Sequence, residues 1–595
     1  MRLDVESGGS TRRIDLFSLL APEDEERAHE DAYAWIKTVR SLRVDGEPFR
    51  SRFTLRGDSL WWFAELYLHK EQAMLQAIRI VRAFDALVER ERPRAVRATD
   101  GRHAAIVGAA ADARGVAYSG PRWRNASAAL LRVDARAVRL AAAARVSRLR
   151  TRPLPRARAP VAAFIHRAFW RTGHGDGSAE SYIGLILRAL ETRLPADAIR
   201  YVGVGPRSNF RARRWWDPLS AAETDGVAAI ERFAPFSAMA ESRQLYRRRH
   251  EVRRSLWDSA DLRAHAVIAG VDCWPLVREQ LTGIALLQFP WSARAMDEAA
   301  AALRSVEPEV AVTYAEAGGW GRALALETRR AGIPLAGLQH GFIYRHWLNY
   351  RHEADEIVPD AGNPADRGFP FPDRTLVFDE YAADHLRRAG RFPGAALAVT
   401  GSASLDALAA AVRALTPEDI ARTRHDCGAG GSRALLVLAA KEREARAALP
   451  ALVEALQFMP DVQLAIKPHP AETPDVYQAA AAGAANIRVL PAGTPLPPLL
   501  GAASGVVTVN STVAVDALAL GIPSLVIGLP NNLTPFVSAG AMLGAGSAAE
   551  IREALLRLLY DQEFRSKFHP GPSAGSGRAA EASADAIMAL RKRRS

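Results

Sequence analysis

Short apolar runs alternate with helical patterns along most of the chain, and that alternation predicts an α/β protein before any single residue is weighed. From Arg13 to about Tyr118 the pattern reads as a strand (IDLFSLL), a long amphipathic helix from Ser59 to Arg92, a short strand (RAVRAT) and a helix (HAAIVGAAADA) that stops before Gly115. From Val161 further apolar runs follow: VAAFIH, IRYVGVG, AHAVIAGV, VAVTYAE and LAGLQHG, separated by helical stretches such as that from Ala179 to Thr192. Strands apolar on both faces and spaced by helices imply a parallel sheet covered on both sides. A second series repeats the pattern: TLVFD, ALAVTG, RALLVLAA, VQLAIKPHP, NIRVL, GVVTVNS and PSLVIG.

Two stretches break the alternation. Residues 148–160, RLRTRPLPRARAP, are dense in Pro and Arg, cannot continue a helix, and read as a solvated linker. Residues 358–374, VPDAGNPADRGFPFPDR, read as a hinge between two α/β halves. The expected organisation is therefore an N-terminal α/β domain over 1–360, a Rossmann-like domain over 375–570 and a C-terminal helix or tail over 571–595. A chain of 595 residues is long enough for more than one core. The halves share a pattern only, and no short-period repeat is present.

Composition narrows the class. With 49% apolar and 24% charged residues the chain is ordinary globular material and not a disordered one. The first residues, MRLDVESGGSTRRIDLF, lack the apolar core of a signal peptide, and no run reaches the ~18 apolar residues that would span a bilayer, so a cytoplasmic protein is expected. Cys273 and Cys427 stand far apart with no C-x-x-C partner, which points to neither a disulfide framework nor a zinc site. A net charge of +12 favours anionic partners such as nucleic acid, anionic lipid headgroups or a phosphorylated substrate. An arginine-rich and alanine-rich sequence is equally the habit of a GC-rich genome.

Ligands of open α/β sheets bind beyond the carboxyl ends of the strands, which gives a search list. The strand VQLAIK runs into Lys467-Pro468-His469-Pro470, where two prolines stiffen the backbone around a histidine able to donate to a phosphate oxygen, with Lys467 adding a compact positive charge. The strand GVVTV leads into Asn510-Ser511-Thr512 and the helix VAVDALALG, with Gly521 as its stop. Free N–H groups and the helix dipole at that end favour a phosphate, and simple capping would account for one of the three polar residues.

Upstream, VAVTYAEAGGWGRALALE places Glu316 after a strand, before a glycine-rich turn and a helix beginning near Arg322. Glu316 could take a proton from an acceptor hydroxyl, or it could cap that helix or pair with Arg322. The strand PLAGL ends in Gln339-His340-Gly341 on the same edge, and Gly341 permits close backbone approach to a ligand. Arg345 could balance substrate charge in this loop, whereas His346 and His352 read as loop residues. Their spacing matches no metal-ligand motif, so no metal site is indicated, and no cofactor is expected. Should Glu316 fail as base, Asp272 and Asp176 are next in line.

Together GLQHGFIY, KPHP and NSTVAVDALALGIP resemble the bacterial GT-B glycosyltransferases that build surface and capsular polysaccharides, including capsule-type Kdo transferases and bacterial sialyltransferases, over roughly residues 305 to 545. The resemblance implies two Rossmann-like domains facing across a cleft, with the acceptor on the first and the nucleotide on the second. It implies that His469-Pro470 and Ser511-Thr512 hold the phosphate and nucleotide of an activated sugar. Teichoic-acid-type CDP-glycerol transferases look similar in this half. The acidic pair followed by glycine that sialyltransferases carry is represented here by AEAGG, with Glu316 alone. The function implied is transfer of a sugar from a nucleotide-activated donor to a glycan or lipid-linked acceptor, without a metal, with peripheral contact to an anionic membrane and no nucleic-acid partner. A polyol-phosphate transferase, a nucleotide-sugar epimerase and a non-catalytic nucleotide- or sugar-binding protein are the alternatives.

Overall fold

A computed structural model describes residues 1–595 apart from 99–102, 124–125, 150, 171–179, 206–225, 315, 431–432, 470–471, 473–474, 482, 530, 569–576 and 593–595. The chain forms two compact units, Met1–Val399 with Ala584–Ser595, and Thr400–Ser583.

The first unit opens with a small sheet of β1 (Arg2–Ser7), β2 (Ser10–Asp15), β3 (Ala95–Arg97) and β4 (Ala117–Ser119), in the order β2-β1-β3-β4. Gly8 and Gly9, at φ +56° and +79°, make the two-residue turn that joins β1 to β2. The long helix expected from Ser59 to Arg92 is two helices, Trp61–Glu71 and Ala73–Glu91, because Gln72 adopts a left-handed backbone at φ 54°. Trp61, Trp62 and Phe63 are fully buried in the largest core. Among them runs a buried charge network: Lys37 Nζ donates to Glu65 at 2.5 Å and to Glu356 at 2.7 Å, and Arg322 also donates to Glu65.

The main sheet of this unit contains β5 (Val161–His166), β6 (Ile199–Val204), β7 (Ala228–Ala229), β8 (Val310–Tyr314), β9 (Leu335–Leu338), β10 (Arg374–Val377) and β11 (Leu397–Val399). All neighbours are parallel, in the order β7-β6-β5-β8-β9-β10-β11. Every residue of β8 and β9 is buried, as a sheet covered on both faces requires.

The second unit contains β12 (Ala434–Ala439), β13 (Val462–Lys467), β14 (Ile487–Val489), β15 (Gly505–Thr508), β16 (Ser524–Ile527) and β17 (Leu543–Ala545). Its parallel sheet runs β14-β13-β12-β15-β16-β17. The two sheets thus share one winding: the first three strands step outward in one direction, and the fourth restarts beside the first and steps the other way. That is the doubly wound, Rossmann-like order. The α/β class with two Rossmann-like units is as expected from the sequence.

Three expectations change. The boundary does not fall at residues 358–374, since β10 and β11 beyond them complete the first unit's sheet and the division comes after Val399. That Pro-rich stretch is packed: Asp366 is buried and accepts from Arg50 Nε at 2.9 Å, and the backbone of residues 356–358 lies against Gly368 at φ +84°. The final helix, Ala579–Lys592, is shared between the units and is not a separate tail. The run AHAVIAGV is no sheet strand but a hairpin, Val267–Ile268 against Val271–Asp272, turned by Ala269 at φ 46° and Gly270 at φ 79°.

The connector at 148–160 has no regular structure after Thr151, yet it is bonded down. Arg148 is buried against Glu298, and the amides of Leu154 and Ala159 donate to Arg232 and Val306 carbonyls at 3.0 and 3.1 Å.

Candidate functional site

Each sheet has one place where its winding reverses, and beyond the strand ends at such a place ligands of open α/β sheets bind. In the first unit this lies between β5 and β8. His166 ends β5, Tyr314 ends β8, Glu316 follows two residues later and His340 follows β9. The His166 amide donates to the Tyr314 hydroxyl oxygen at 3.1 Å. The His340 ring lies 5.3 Å from Tyr314 and 5.4 Å from Tyr182, centroid to centroid. Burial, helped by the nearby His166, pulls the His340 imidazole down to about 4, so at neutral pH it is uncharged and both donates and accepts.

Glu316 is buried two residues beyond the end of β8. Its Oε1 accepts from the Tyr350 hydroxyl at 3.2 Å, and its Oε2 has no hydrogen-bond partner. Burial raises its carboxyl from 4.5 to about 7, against a small opposing effect of hydrogen bonding. The sequence makes room for it: a Cβ at Gly337 on β9 would stand 2.8 Å from the Glu316 Cγ. It neither caps the following helix, whose N-cap is Gly318, nor pairs with Arg322, which bonds Glu65.

Sequence reasoning missed a second carboxylate here. Glu180 Oε2 accepts from the amides of Tyr182 and Ile183 at 2.7 and 2.6 Å, ahead of the helix Gly184–Glu191. Burial raises its carboxyl, and after burial its charge is the next cause pushing the Tyr314 phenol up. Its only sequence signal was an acid just before an apolar helical stretch.

The rest of the loop after β9 does other work. Gln339 is a bracket: its Nε2 donates to the Gly341 carbonyl at 2.9 Å, and its Oε1 accepts from the Phe378 amide at 2.8 Å, tying the loops after β9 and β10. A Cβ at Gly341 would meet no protein atom within 4 Å, so no neighbouring part of the chain demands glycine there. Arg345 does not face the crevice but donates to Glu26 on the helix Pro22–Thr38 at 2.7 Å. His346 stacks on His29 at 4.3 Å, and His352 is buried against Phe369 at 3.7 Å. Among the described residues Glu26, Glu30 and His346 form a group that could ligate a metal ion. Arg345 and Arg351 already pair with the two carboxylates, each at 2.7 Å, and would compete with a cation. Asp272, in the hairpin, accepts from the Trp274 amide at 2.8 Å ahead of the helix Trp274–Gly283. Asp176 lies outside the described residues.

In the second unit the reversal lies between β12 and β15. Thr508 donates to the Ala439 carbonyl at 2.7 Å and accepts from the Ser511 amide at 2.9 Å, which bends the chain sharply after β15. Asn510 presents a buried Oδ1 with no partner. Ser511 Oγ accepts from Val513 N at 3.3 Å, so Ser511 and not Thr512 makes the capping bond. The helix that follows, Val513–Ala519, has only seven residues, which leaves side-chain donors a larger part than a helix dipole. Lys467 ends β13, and partial burial pulls its ammonium down. His469 is exposed, its carbonyl accepting from the Glu472 amide at 2.8 Å, while Pro470 lies outside the described residues. Asp516, on the short helix, is pushed up to about 6 by burial.

The fold is that of a doubly wound α/β protein, with buried titratable side chains at the strand ends of one unit and basic, hydroxyl and amide side chains at those of the other. Residues 439–535, which span all the second unit's candidate residues, match the family of capsule polysaccharide biosynthesis proteins. No curated protein matches the chain. Among solved structures, the chain is similar to the UDP-GlcNAc 2-epimerase of Neisseria meningitidis bound to UDP-GlcNAc, at 14% identity over 73% of this chain and 100% of that one, with a TM-score of 0.44. It is also similar to another UDP-N-acetylglucosamine 2-epimerase, at 15% identity over 72% and 95%, TM-score 0.42. A glycosyltransferase from Rickettsia africae is similar at 10% identity over 50% and 78%, TM-score 0.33.

Proposed function

We propose that this chain is a metal-independent glycosyltransferase that moves a sugar from a nucleotide-activated donor to a surface-polysaccharide or lipid-linked acceptor, in the cytoplasm at the inner face of the membrane. The observation that carries the reading is the gathering of Lys467, His469, Asn510, Ser511 and Thr512 at strand ends of the second unit, inside the segment that matches the capsule family. Such groups suit the phosphates of a nucleotide diphosphate or monophosphate. In the first unit, Glu316 supplies the base: a carboxyl poised near 7 is half ionised where the reaction runs. The acceptor hydroxyl gives its proton to Glu316 as its oxygen bonds to the anomeric carbon. The bond from that carbon to the phosphate oxygen breaks, and the nucleotide leaves with the electron pair, its charge met by Lys467 and the hydroxyls. Neutral His340 donates to or accepts from a sugar hydroxyl.

The experiment is nucleotide release measured with CMP-sugars, CDP-polyols and UDP-sugars, each with and without a glycan acceptor. Acceptor-dependent release from a nucleotide-sugar supports the reading. Release only from CDP-polyols makes the chain a polyol-phosphate transferase, conversion of a UDP-sugar without acceptor makes it an epimerase, and binding without turnover overturns catalysis altogether.

A further inference from the structure

The helix of residues 126–149 turns an apolar stripe outward. Leu131 is 70% exposed, Val138 47% and Leu149 73%. At 3.6 residues per turn, Leu131, Ala135, Val138, Ala142, Arg145 and Leu149 fall within about 40° of one line along the helix. Arg132, Arg136 and Arg139, all exposed, follow one flank of that line. They make no ion pair among the described residues, and the one acid of the helix, Asp134, is taken by Arg249 at 3.2 Å. Ala137 and Ser147 on the opposite side are buried against the rest of the unit.

Beside the helix runs a groove of about 620 Å³, with Phe236, Met239, Leu286 and Trp291 in its apolar lining. The Arg243 guanidinium lies 4.5 Å and the Arg145 guanidinium 5.6 Å from the centre of the Phe236 ring, so two cations stand over an aromatic face of the groove.

We infer that this face, the stripe of helix 126–149 with its arginine flank and the adjoining groove, is a docking surface for an anionic lipid bilayer, on which the helix lies in the plane of the headgroups. An apolar line edged by arginines is what an interfacial helix presents. No helix among the described residues is long and apolar enough to cross a membrane. The charge selects the occupant. A second copy laid on the same stripe would bring two unpaired arginine flanks together, and a nucleic acid would leave Leu131, Val138 and Leu149 in water.

The test is co-sedimentation of the full chain with extruded vesicles of phosphatidylcholine alone, or with about one-third phosphatidylglycerol, near 0.15 M salt. The chain should bind the anionic vesicles only. Arg132→Glu with Arg136→Glu and Arg139→Glu should weaken that binding by about 100-fold or more, since each arginine near an anionic surface contributes about fivefold. Leu131→Ser with Val138→Ser and Leu149→Ser should release the protein while leaving its fold unchanged, as these side chains already face water. Three results would overturn the inference: no binding to anionic vesicles, variants that bind as wild type, or competition by RNA or inorganic phosphate that leaves no vesicle-bound protein. A dimer by light scattering that the serine variant abolishes would assign the stripe to a second copy instead. Nucleotide-induced thermal stabilisation, measured in the same variants, belongs to the second unit and keeps this outcome separate from the transferase reading.

Discussion

Replacing Glu316 by glutamine should do two opposite things: slow turnover and stabilise the first unit at alkaline pH. Burial raises the Glu316 carboxyl from 4.5 to about 7 in the folded chain. Below pH 4.5 it is protonated whether the chain is folded or not, and nothing is lost. Between 4.5 and about 7 the unfolded chain gives up the proton while the folded chain keeps it, so stability falls as pH rises and the full cost is present above 7. At 1.36 kcal/mol per pH unit that cost is about 3 kcal/mol. Glutamine never ionises, still accepts from the Tyr350 hydroxyl through its Oε1, and leaves a partnerless NH2 group where the protonated acid leaves a partnerless O–H. The variant should therefore lead by less than about 1 kcal/mol at pH 5 and by about 2 to 3 kcal/mol at pH 8.5. The assay is urea unfolding followed by tryptophan fluorescence, which reads the first unit because all 12 tryptophans precede residue 348. Turnover at pH 8 should drop about 100-fold or more while donor affinity holds. A stability difference that does not grow between pH 5 and 8.5 refutes the raised carboxyl, and wild-type turnover in the variant refutes its role as base.

Ser511→Ala with Thr512→Ala should weaken nucleotide binding by roughly 1.5 to 3 kcal/mol by calorimetry, leaving a bare nucleoside unaffected, and equal losses would mean a damaged fold. Lys37→Met should cost about 3 to 5 kcal/mol in the same fluorescence assay, because it leaves Glu356 without its buried cation and Glu65 with Arg322 alone, and a loss below about 1 kcal/mol would refute the network's role. Chelation by EDTA should leave turnover unchanged, whereas a loss restored by added magnesium or manganese would make the reaction metal-dependent.

The strands were legible because a parallel sheet is buried on both faces, so VAAFIH, VAVTY and VQLAIK stand out as continuous apolar runs with nearly the observed ends. The same signal misread AHAVIAGV, where hydrophobicity persists through a turn that only the left-handed backbone of Ala269 and Gly270 reveals. The unit boundary was hidden for a related reason. Prolines and glycines at 358–374 mark irregular backbone, but composition does not tell an exposed hinge from a loop fastened by a buried Arg50–Asp366 pair. In the loop after β9, the residue types suggested a ligand site throughout, yet only partners distant in sequence separate His340, which joins the Tyr314 cluster, from Arg345, which bonds Glu26.

The repeated winding sharpens what those partners mean. One sheet order occurs twice, so the strand-end rule points to two crevices, and their chemistry differs in kind. The first holds the buried Glu180 against the Tyr314 phenol, with Tyr182 and a neutral His340 beside it and the buried Glu316 two residues beyond the strand end, groups that exchange protons and bond hydroxyls. The second gathers an ammonium, an imidazole, hydroxyls and an amide, groups that meet phosphate oxygens. A protein that only held a nucleotide would need the second set alone. Keeping an ionisable carboxyl in the first unit at a cost of about 3 kcal/mol, with Gly337 clearing space for it, is understandable if that carboxyl takes part in a reaction.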